Sequence, residues 1–233
     1  MTTPQGYVQV LEEEVDPKRC SAYGIDVVRR QTGGKAVLHD EELTYSLIMP
    51  EDQPALGQNA YENYRHVSEA LIQALQYIQV PGELVQTSAP QDGTTGACFS
   101  SAARFEIVVH GRKLVGSAQR RARRCVLQHG SLLLGPGHNR LPMLLPHTQH
   151  ARRQELMEEL ANRTTSVVDI TGETISFEDM ALLVKRGFEA QLGLKFQIGT
   201  LTAEEHAEAT RLVNEKYGTD EWNARSKPRH IPR

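Results

Sequence analysis

The sequence predicts an α+β domain, from three observations. Strand-like alternation of apolar and polar residues dominates as far as Leu134, with one helical segment inside it, and helical spacing dominates after Pro146. Strands that come first and helices that follow favour an α+β arrangement over a doubly wound parallel sheet. The 233 residues contain no internal repeat and no linker long enough to divide them, which predicts a single domain over residues 1–233.

Two strands are predicted near the start of the chain, at residues 25–30 and 36–49. Gly33 and Gly34 lie between them, and such glycines are typical of a tight turn. The sequence therefore predicts a hairpin with a glycine-rich tip.

A second group of strands is predicted at residues 105–109, 113–118 and 125–134, because apolar and polar residues alternate there. His110 and Gly111 supply the turn between the first two. Together these three strands predict a small antiparallel meander.

Helices are predicted wherever apolar residues recur every three or four positions. Two of them begin with capping boxes, formed by Ser176 with Asp179 and by Thr202 with Glu205. The predicted helices cover residues 61–78, 151–162, 177–192 and 203–217.

Composition excludes several classes of protein. No stretch approaches the roughly 20 apolar residues of a membrane span, and the N-terminus lacks the features of a signal peptide, so we expect a cytoplasmic location. The three cysteines, Cys20, Cys98 and Cys125, are too few and too dispersed for a disulfide scaffold and are expected to be free thiols. No group of His, Cys and carboxylate residues has metal-ligand spacing, so no metal site is predicted.

Charge is unevenly distributed, although the formal net charge is only −3. Between Cys98 and Gly130 a single acid, Glu106, accompanies seven basic residues, which makes an acidic partner plausible there. A solvated loop that keeps the protein in solution is the simpler interpretation of the arginine run taken alone. The seven basic residues are Arg104, Arg112, Lys113, Arg120, Arg121, Arg123 and Arg124.

Three short segments stand out in order along the chain. Residues 29–39 read Arg-Arg-Gln-Thr-Gly-Gly-Lys-Ala-Val-Leu-His, residues 97–99 read Ala-Cys-Phe, and residues 111–119 read Gly-Arg-Lys-Leu-Val-Gly-Ser-Ala-Gln. The first and third resemble the Arg-Arg-x-Thr-Gly-Gly and Gly-x-Lys-x-x-Gly-Ser-Ala signatures of the lipoate-protein ligase and octanoyltransferase family. That family is part of the biotin/lipoate protein ligase superfamily.

The resemblance extends from about Gly6 to Asn223, nearly the whole chain. It implies a mixed sheet flanked by helices, akin to the catalytic domain of class II synthetases and biotin protein ligases. Family members begin with a further helix and strands, so we expect this chain to lack those N-terminal elements and one wall of the acyl site.

Two features resemble the cysteine-dependent octanoyltransferases of the Gram-positive type rather than the ligases. His39 precedes Asp-Glu-Glu-Leu-Thr-Tyr, where ligases carry a Gly-Asn pair, and Cys98 precedes the motif lysine by fifteen residues. Residues 33–36 are not a phosphate-binding P-loop, because that motif requires Gly where Arg29 stands and Ser or Thr where Ala36 stands.

A thiol at Cys98 suits this chemistry, because exchange of one thioester for another is nearly isoenergetic and the later attack by an amine forms a stable amide. Covalent catalysis then divides the transfer into two steps, neither of which requires a cofactor. A thiol with a pKa near 8.5 is only slightly ionised at neutral pH, and a nearby cation raises the thiolate fraction. Lys113 is the candidate cation, and by resemblance it also contacts the acyl carbonyl.

We therefore predict Cys98 and Lys113 as catalytic residues. The acyl chain requires an apolar slot, which is expected between the two hairpins, while His129 is more simply a strand histidine. The predicted substrate-binding residues are Arg30, Thr32, Gly33, Gly34, His39, Gly116, Ser117 and Ala118.

The implied function is transfer of an octanoyl or lipoyl group from acyl carrier protein to a lysine of a glycine cleavage H-type protein or an E2 lipoyl domain. No nucleic acid or membrane partner is expected. Two alternatives stay open. One is an ATP-dependent lipoate ligase with Mg²⁺, in which Lys113 contacts an acyl-adenylate; the other is a non-catalytic module that holds carrier domains through its arginines.

Overall fold

A computed structural model describes residues 2–5, 10–57, 59–86, 105–146 and 148–224. Its centre is a five-stranded antiparallel sheet in the order β3-β7-β6-β5-β4, and a separate pair, β1 and β2, is parallel. Helices flank the large sheet, so the predicted α+β class is confirmed, with the parallel pairing confined to the small sheet. The strands are β1 Thr2–Gln5, β2 Asp26–Arg29, β3 Glu42–Pro50, β4 Glu83–Gln86, β5 Phe105–Val109, β6 Arg112–Ala122 and β7 Cys125–Leu133.

Eight α-helices accompany these strands in the part of the chain that the structure describes. A 3₁₀ segment, Gly137–Leu144, precedes α4, and a π-helical turn, Val213–Tyr217, continues α7. None of these helices has the length and apolarity that crossing a membrane requires. The helices are α1 Leu11–Glu14, α2 Pro17–Ala22, α3 Ala60–Gln76, α4 His150–Arg163, α5 Val167–Thr171, α6 Phe177–Leu192, α7 Ala203–Leu212 and α8 Asp220–Asn223.

The predicted meander is confirmed. Strands β5, β6 and β7 are consecutive neighbours in the sheet, and both connections are two-residue turns. His110 and Gly111 form the first with φ of 49° and 74°, while Arg123 and Arg124 form the second with φ of 52° and 60°. Positive φ at both central residues matches the right-handed twist of paired strands.

The predicted hairpin between residues 25–30 and 36–49 is wrong. β2 pairs with β1, whereas all nine residues of β3 pair with β7. Both types of two-residue hairpin turn require positive φ at the first central position, but of Gly33 and Gly34 only the second, Gly34, has it, at 105°. The residues between the strands instead form a loop that side chains hold in place.

One face of the large sheet packs against α3 and α6. The helix predicted at residues 61–78 buries one apolar face as expected, because Val67, Leu71 and Leu75 of α3 are all buried in the main hydrophobic core. The predicted N-caps of α6 and α7 are present as well, with Ser176 accepting from the Asp179 amide and Thr202 from the Glu205 amide. These caps satisfy amides that a helix start leaves without partners.

Gly187 allows α6 to approach α3 closely. A Cβ atom at this position would contact the backbone oxygen of Ala70 and would lie 2.8 Å from the backbone nitrogen of Ala74. Backbone atoms cannot move aside without displacing a helix, so the spacing of the two helices depends on this glycine.

We expect Gly187→Ala to lower the free energy of unfolding by about 1–3 kcal/mol, because relief of the clash requires the helices to separate. Urea denaturation measures the change. Gly199→Ala is the matched control, since a Cβ there meets nothing within 4 Å. Equal stability of the two variants would contradict close packing at Gly187.

Candidate active site

A loop of residues 30–38, here called the glycine loop, carries most of the first motif. Within it Arg30 Nη2 donates to the Lys35 carbonyl at 3.0 Å, and the Ala36 amide donates to the Glu14 carboxylate at 3.1 Å. These bonds hold a segment that forms no ladder with the described strands β1 to β7, because its buried polar groups still require partners. The loop is therefore held in one shape by side chains.

The two glycines of this loop have different roles. A Cβ at Gly34 would collide with the Arg30 guanidinium, and its φ of 105° is itself suited to glycine. A Cβ at Gly33 would meet nothing within 4 Å. Gly34 is thus required by the fold of the loop, whereas Gly33 leaves open space in front of it.

The C-terminal segment clamps the start of the loop through Arg29, which is only 4% exposed. The Arg29 amide donates to Asn223 Oδ1 at 2.8 Å, and Arg29 Nε donates to the Trp222 carbonyl at 2.9 Å. Trp222 Nε1 donates back to the Arg29 carbonyl at 2.9 Å. The first arginine of the motif therefore acts in the interior, and the second, Arg30, faces the site.

Thr32 joins the loop to strand β7. Its side-chain oxygen lies 2.6 Å from His129 Nε2, and the threonine is 1% exposed. Burial, followed by the charges of Arg30 and His39, lowers the pKa of His129 to about 4. The ring is therefore neutral near pH 7 and offers one nitrogen as an acceptor.

His39 is held by a buried carboxylate. Its Nδ1 contacts Glu42 Oε1, whose side chain is only 3% exposed, and Ser131 Oγ lies 2.7 Å from the same oxygen. Ser131 Oγ also lies 3.1 Å from Nδ1. Because these contacts occupy Nδ1, a substrate group would meet Nε2 of His39.

The two acids before Glu42 connect this stretch to the 3₁₀ segment. Asp40 pairs with Arg140, and Glu41 Oε2 accepts from the Gly137 amide at 2.9 Å. Each of the three consecutive acids thus has a different structural task. This stretch after His39 is the one that resembled the cysteine-dependent transferases.

Lys113 lies against an acid that its motif does not include. A register shift in the β5–β6 pair sets Lys113 opposite Val108, and its Nζ lies 2.5 Å from Glu106 Oε1. The two side chains are 6% and 9% exposed, so the ion pair is buried. The Lys113 carbonyl accepts from the Thr165 amide at 2.9 Å, which holds the backbone as well.

Ser117 points to the helix side of the sheet. Its hydroxyl lies 2.7 Å from the Tyr45 hydroxyl, and its carbonyl accepts from Tyr64 at 2.6 Å. Gly130 makes room for this contact, since a Cβ there would lie 2.7 Å from Ser117 Oγ. Gly116 instead lies opposite Ser131, and the next residues on that face are Ala118 and His129. Gly116 and Ala118 therefore border the histidines, while the Ser117 side chain does not.

Cys98 lies outside the described residues, as do all of residues 87–104. β4 ends at Gln86 and β5 begins at Phe105, and these two residues are paired in the sheet. Cys98 is seven residues before Phe105, a span of at most about 25 Å. Glu106 and Lys113 are within that reach, and the pairing of Cys98 with Lys113 stays a prediction.

A cavity of about 550 Å³, here called the site cavity, opens between the start of the glycine loop and the β3–β7 face. The acyl slot was expected between two hairpins, but the first of these does not form, so this cavity is the candidate in its place. Of the predicted residues, Arg30 and His39 line it, together with His129. Lys113 is three residues before Gly116, roughly 10 Å along the strand. The site cavity and the Lys113–Glu106 pair are therefore two separate parts of the site on the same sheet.

Sequence reasoning missed several partners of the predicted residues. Glu42 could have been found from its i,i+3 spacing to His39, and Glu106 was visible as the single acid in a basic stretch. Ser131, Trp222 and Asn223 fall within the stretch that resembles the family, but no local signal gave them a role, since they meet the motif only through the tertiary fold.

Acidification should destabilise the protein through His129. An ordinary histidine binds a proton near pH 6.5 in the unfolded chain, whereas the folded one does so near pH 4, so stability is lost as pH falls between these values. After allowance for partial exposure we expect a loss of up to roughly 2 kcal/mol. His129→Gln should flatten the profile of unfolding free energy against pH in this window, and exposed His206→Gln should not.

The Lys113–Glu106 pair should behave as a coupled unit in a double-mutant cycle. Lys113→Met or Glu106→Leu alone leaves one buried charge and should cost about 3 kcal/mol of unfolding free energy. The double variant should cost less than the sum of the two, by at least about 1 kcal/mol. Strict additivity in urea denaturation would show that the two charges do not interact.

Known proteins are similar to this chain in sequence and in fold. The lipoyl protein ligase A/B catalytic domain family matches residues 3–189. The octanoyltransferase LipM of Geobacillus kaustophilus is 34% identical over 224 residues, which cover 94% of this chain and 81% of the relative. That of Kyrpidia tusciae is 38% identical over 228 residues, covering 94% and 82%.

The solved structure of a bi-partite lipoate protein ligase from Thermoplasma acidophilum has the same fold, with a TM-score of 0.79. It is 24% identical, and the match covers 99% of this chain and 83% of that one. The resemblance inferred from the two motifs is thereby confirmed. The chain belongs to the lipoyl protein ligase A/B catalytic domain family.

Proposed function

We propose that this protein is an acyltransferase that moves an octanoyl group onto a carrier protein in lipoate biosynthesis. The observation that carries the proposal is its identity of 31% to 38% to octanoyltransferases LipM over nearly the whole chain. The stretch after His39, which resembles the transferases rather than the ligases, supports it as well.

In the first step the Cys98 thiolate attacks the thioester carbonyl of octanoyl acyl carrier protein. A C–S bond to the enzyme forms, the C–S bond to the carrier breaks, and the carrier leaves as a thiol once it takes up a proton. In the second step the acceptor lysine amine attacks the enzyme thioester, an amide forms, and the Cys98 thiol is regenerated.

Lys113 is proposed to stabilise the oxygen of the acyl carbonyl as charge develops there. Its ammonium group already lies 2.5 Å from Glu106, so that carboxylate offsets part of its charge. Glu106 therefore acts as a positioning residue in this proposal: it keeps the long lysine side chain in one direction, which reduces the entropy lost when substrate binds.

The site cavity is proposed to receive the acyl chain. Val28, Leu127 and Tyr217 contribute apolar surface to it, and Arg30 and His39 stand among the polar groups of its lining. A pocket that combines apolar surface with polar groups at defined places is typical of sites for small amphipathic groups. His39, oriented by Glu42, would meet the polar end of the substrate.

The donor is proposed to be octanoyl acyl carrier protein, and the acceptor a lysine of a glycine cleavage H-type protein or an E2 lipoyl domain. No ATP is required, because the thioester already carries the activated acyl group. An ATP-dependent ligation of free lipoate is the competing function within the same family.

Incubation with octanoyl acyl carrier protein should give an octanoyl adduct on the protein by intact-mass analysis. The adduct should be absent from Cys98→Ala and removed by hydroxylamine, since only a thioester is so labile. Cys20→Ala and Cys125→Ala keep a thiol at 98 and are the matched controls.

Formation of the adduct in Cys98→Ala would refute the cysteine assignment. Turnover of free octanoate or lipoate that depends on ATP, with none from the acyl carrier protein, would favour the ligase instead.

A further inference from the structure

The turn between β6 and β7 has an unusual composition for its shape. Arg123 and Arg124 both have left-handed backbone, with φ of 52° and 60°, a conformation that Asn-Gly adopts most easily. The neighbouring turn of the same kind, between β5 and β6, uses Gly111 at its second position. The two arginines therefore occupy positions where the backbone conformation favours other residues.

The positive charges on the side chains of this turn also lack acidic partners among the described residues. Arg123 and Arg124 are exposed, and neither side chain has an ion pair or hydrogen bond with the described residues. On β6 just before them, Arg121 has Glu51 at 3.8 Å and Arg120 donates to the Gln31 carbonyl at 3.1 Å. Residues 120–124 are here called the arginine hairpin, and at its exposed tip Arg123 and Arg124 present positive charge that no ion pair with a described residue offsets.

The arginine hairpin is connected to the site by a groove of about 720 Å³ that runs beside the C-terminal helices. Arg120 and Arg123 line this groove, and Gln31 and Tyr217 line both it and the site cavity. The groove and the site cavity are therefore adjacent. Arg211, also in the groove, pairs with both Glu208 and Glu215, so those two acids do not offset the hairpin's charge.

Distance decides which partner would use this surface. Ala118, beside the histidines, is four residues from Ala122 at the turn, roughly 14 Å along the strand, and Lys113 is nine residues from Ala122, roughly 30 Å. A lysine side chain reaches only roughly 6 Å, so an acceptor domain must dock closer to the site than the hairpin. A donor that carries its thioester on a long phosphodiester-linked arm can cover this length when its body contacts the hairpin and lies over the groove, and the phosphodiester is itself an anion.

We propose that the arginine hairpin is the docking surface for the acidic carrier protein that delivers the acyl donor, whose arm enters the site along the groove. This proposal rests on the proposed function, since it names the surface on which that donor binds. Binding of an acidic partner accounts for arginine at two left-handed positions where the backbone favours other residues.

The double variant Arg123→Asn/Arg124→Gly tests the proposal, because it removes both charges and also installs the favoured turn. Its melting temperature should rise by roughly 2–4 °C. Its Kd for labelled acyl carrier protein, measured by fluorescence anisotropy, should rise roughly fivefold to tenfold, and its binding should depend less on salt than that of the unaltered protein.

Two comparisons isolate the docking surface. Arg152→Gln/Arg186→Gln removes the same charge elsewhere and should leave Kd unchanged, because Arg152 lies on α4 and Arg186 on α6. With octanoyl acyl carrier protein as donor the hairpin variant should have a raised KM and an unchanged kcat. With octanoyl-pantetheine, a small uncharged donor, both constants should be unchanged.

An unaltered Kd for acyl carrier protein in the hairpin variant would overturn the proposal, and so would weaker binding of the acceptor domain in place of the donor. Absence of turnover from both donors in the unaltered protein would refute the proposed function. The anisotropy comparison decides the docking surface in that case as well, because it does not depend on catalysis.

Discussion

The candidate site depends on how the glycine loop is held, because this loop forms no ladder with any of the described strands β1 to β7. Distant side chains supply the bonds: Arg29 is clamped by Trp222 and Asn223, and Thr32 contacts His129. Buried backbone groups without a ladder must find such partners or lose several hydrogen bonds at once. The C-terminal segment is therefore part of the site's support, although it is almost two hundred residues from Arg29 in sequence.

Buried carboxylates orient the two basic groups that the proposed chemistry uses. Glu42 holds His39 by Nδ1, and Glu106 holds Lys113 by its ammonium group. In each case the acid restricts a side chain that would otherwise sample many rotamers, and at Lys113 it also offsets positive charge that substrate would meet. A lysine paired in this way is better suited to contact a carbonyl at a fixed place than to act as a free cation on a thiol.

Much of the fold was predictable because local patterns specify it. The strands β5 to β7, the helix α3 and the capped helices α6 and α7 follow from periodicity and capping residues, which act within a few positions. The hairpin at Gly33 and Gly34 was predicted wrongly, since nearby strands need not pair: β3 found a longer partner in β7. Any strand of the chain can be the partner, and the residues near a predicted turn carry no information about the more distant strands.

The sequence by itself determined the family, the α+β class and the motif residues, because these depend on which residues occur in which order. Only the tertiary structure decided that Ser117 turns toward Tyr45, that Arg29 is an interior anchor and that Lys113 is paired with Glu106. Each of these facts depends on the face of a strand or on a contact between distant segments. A motif fixes the identity of a side chain, whereas its direction and its partners come from the packing of the whole chain.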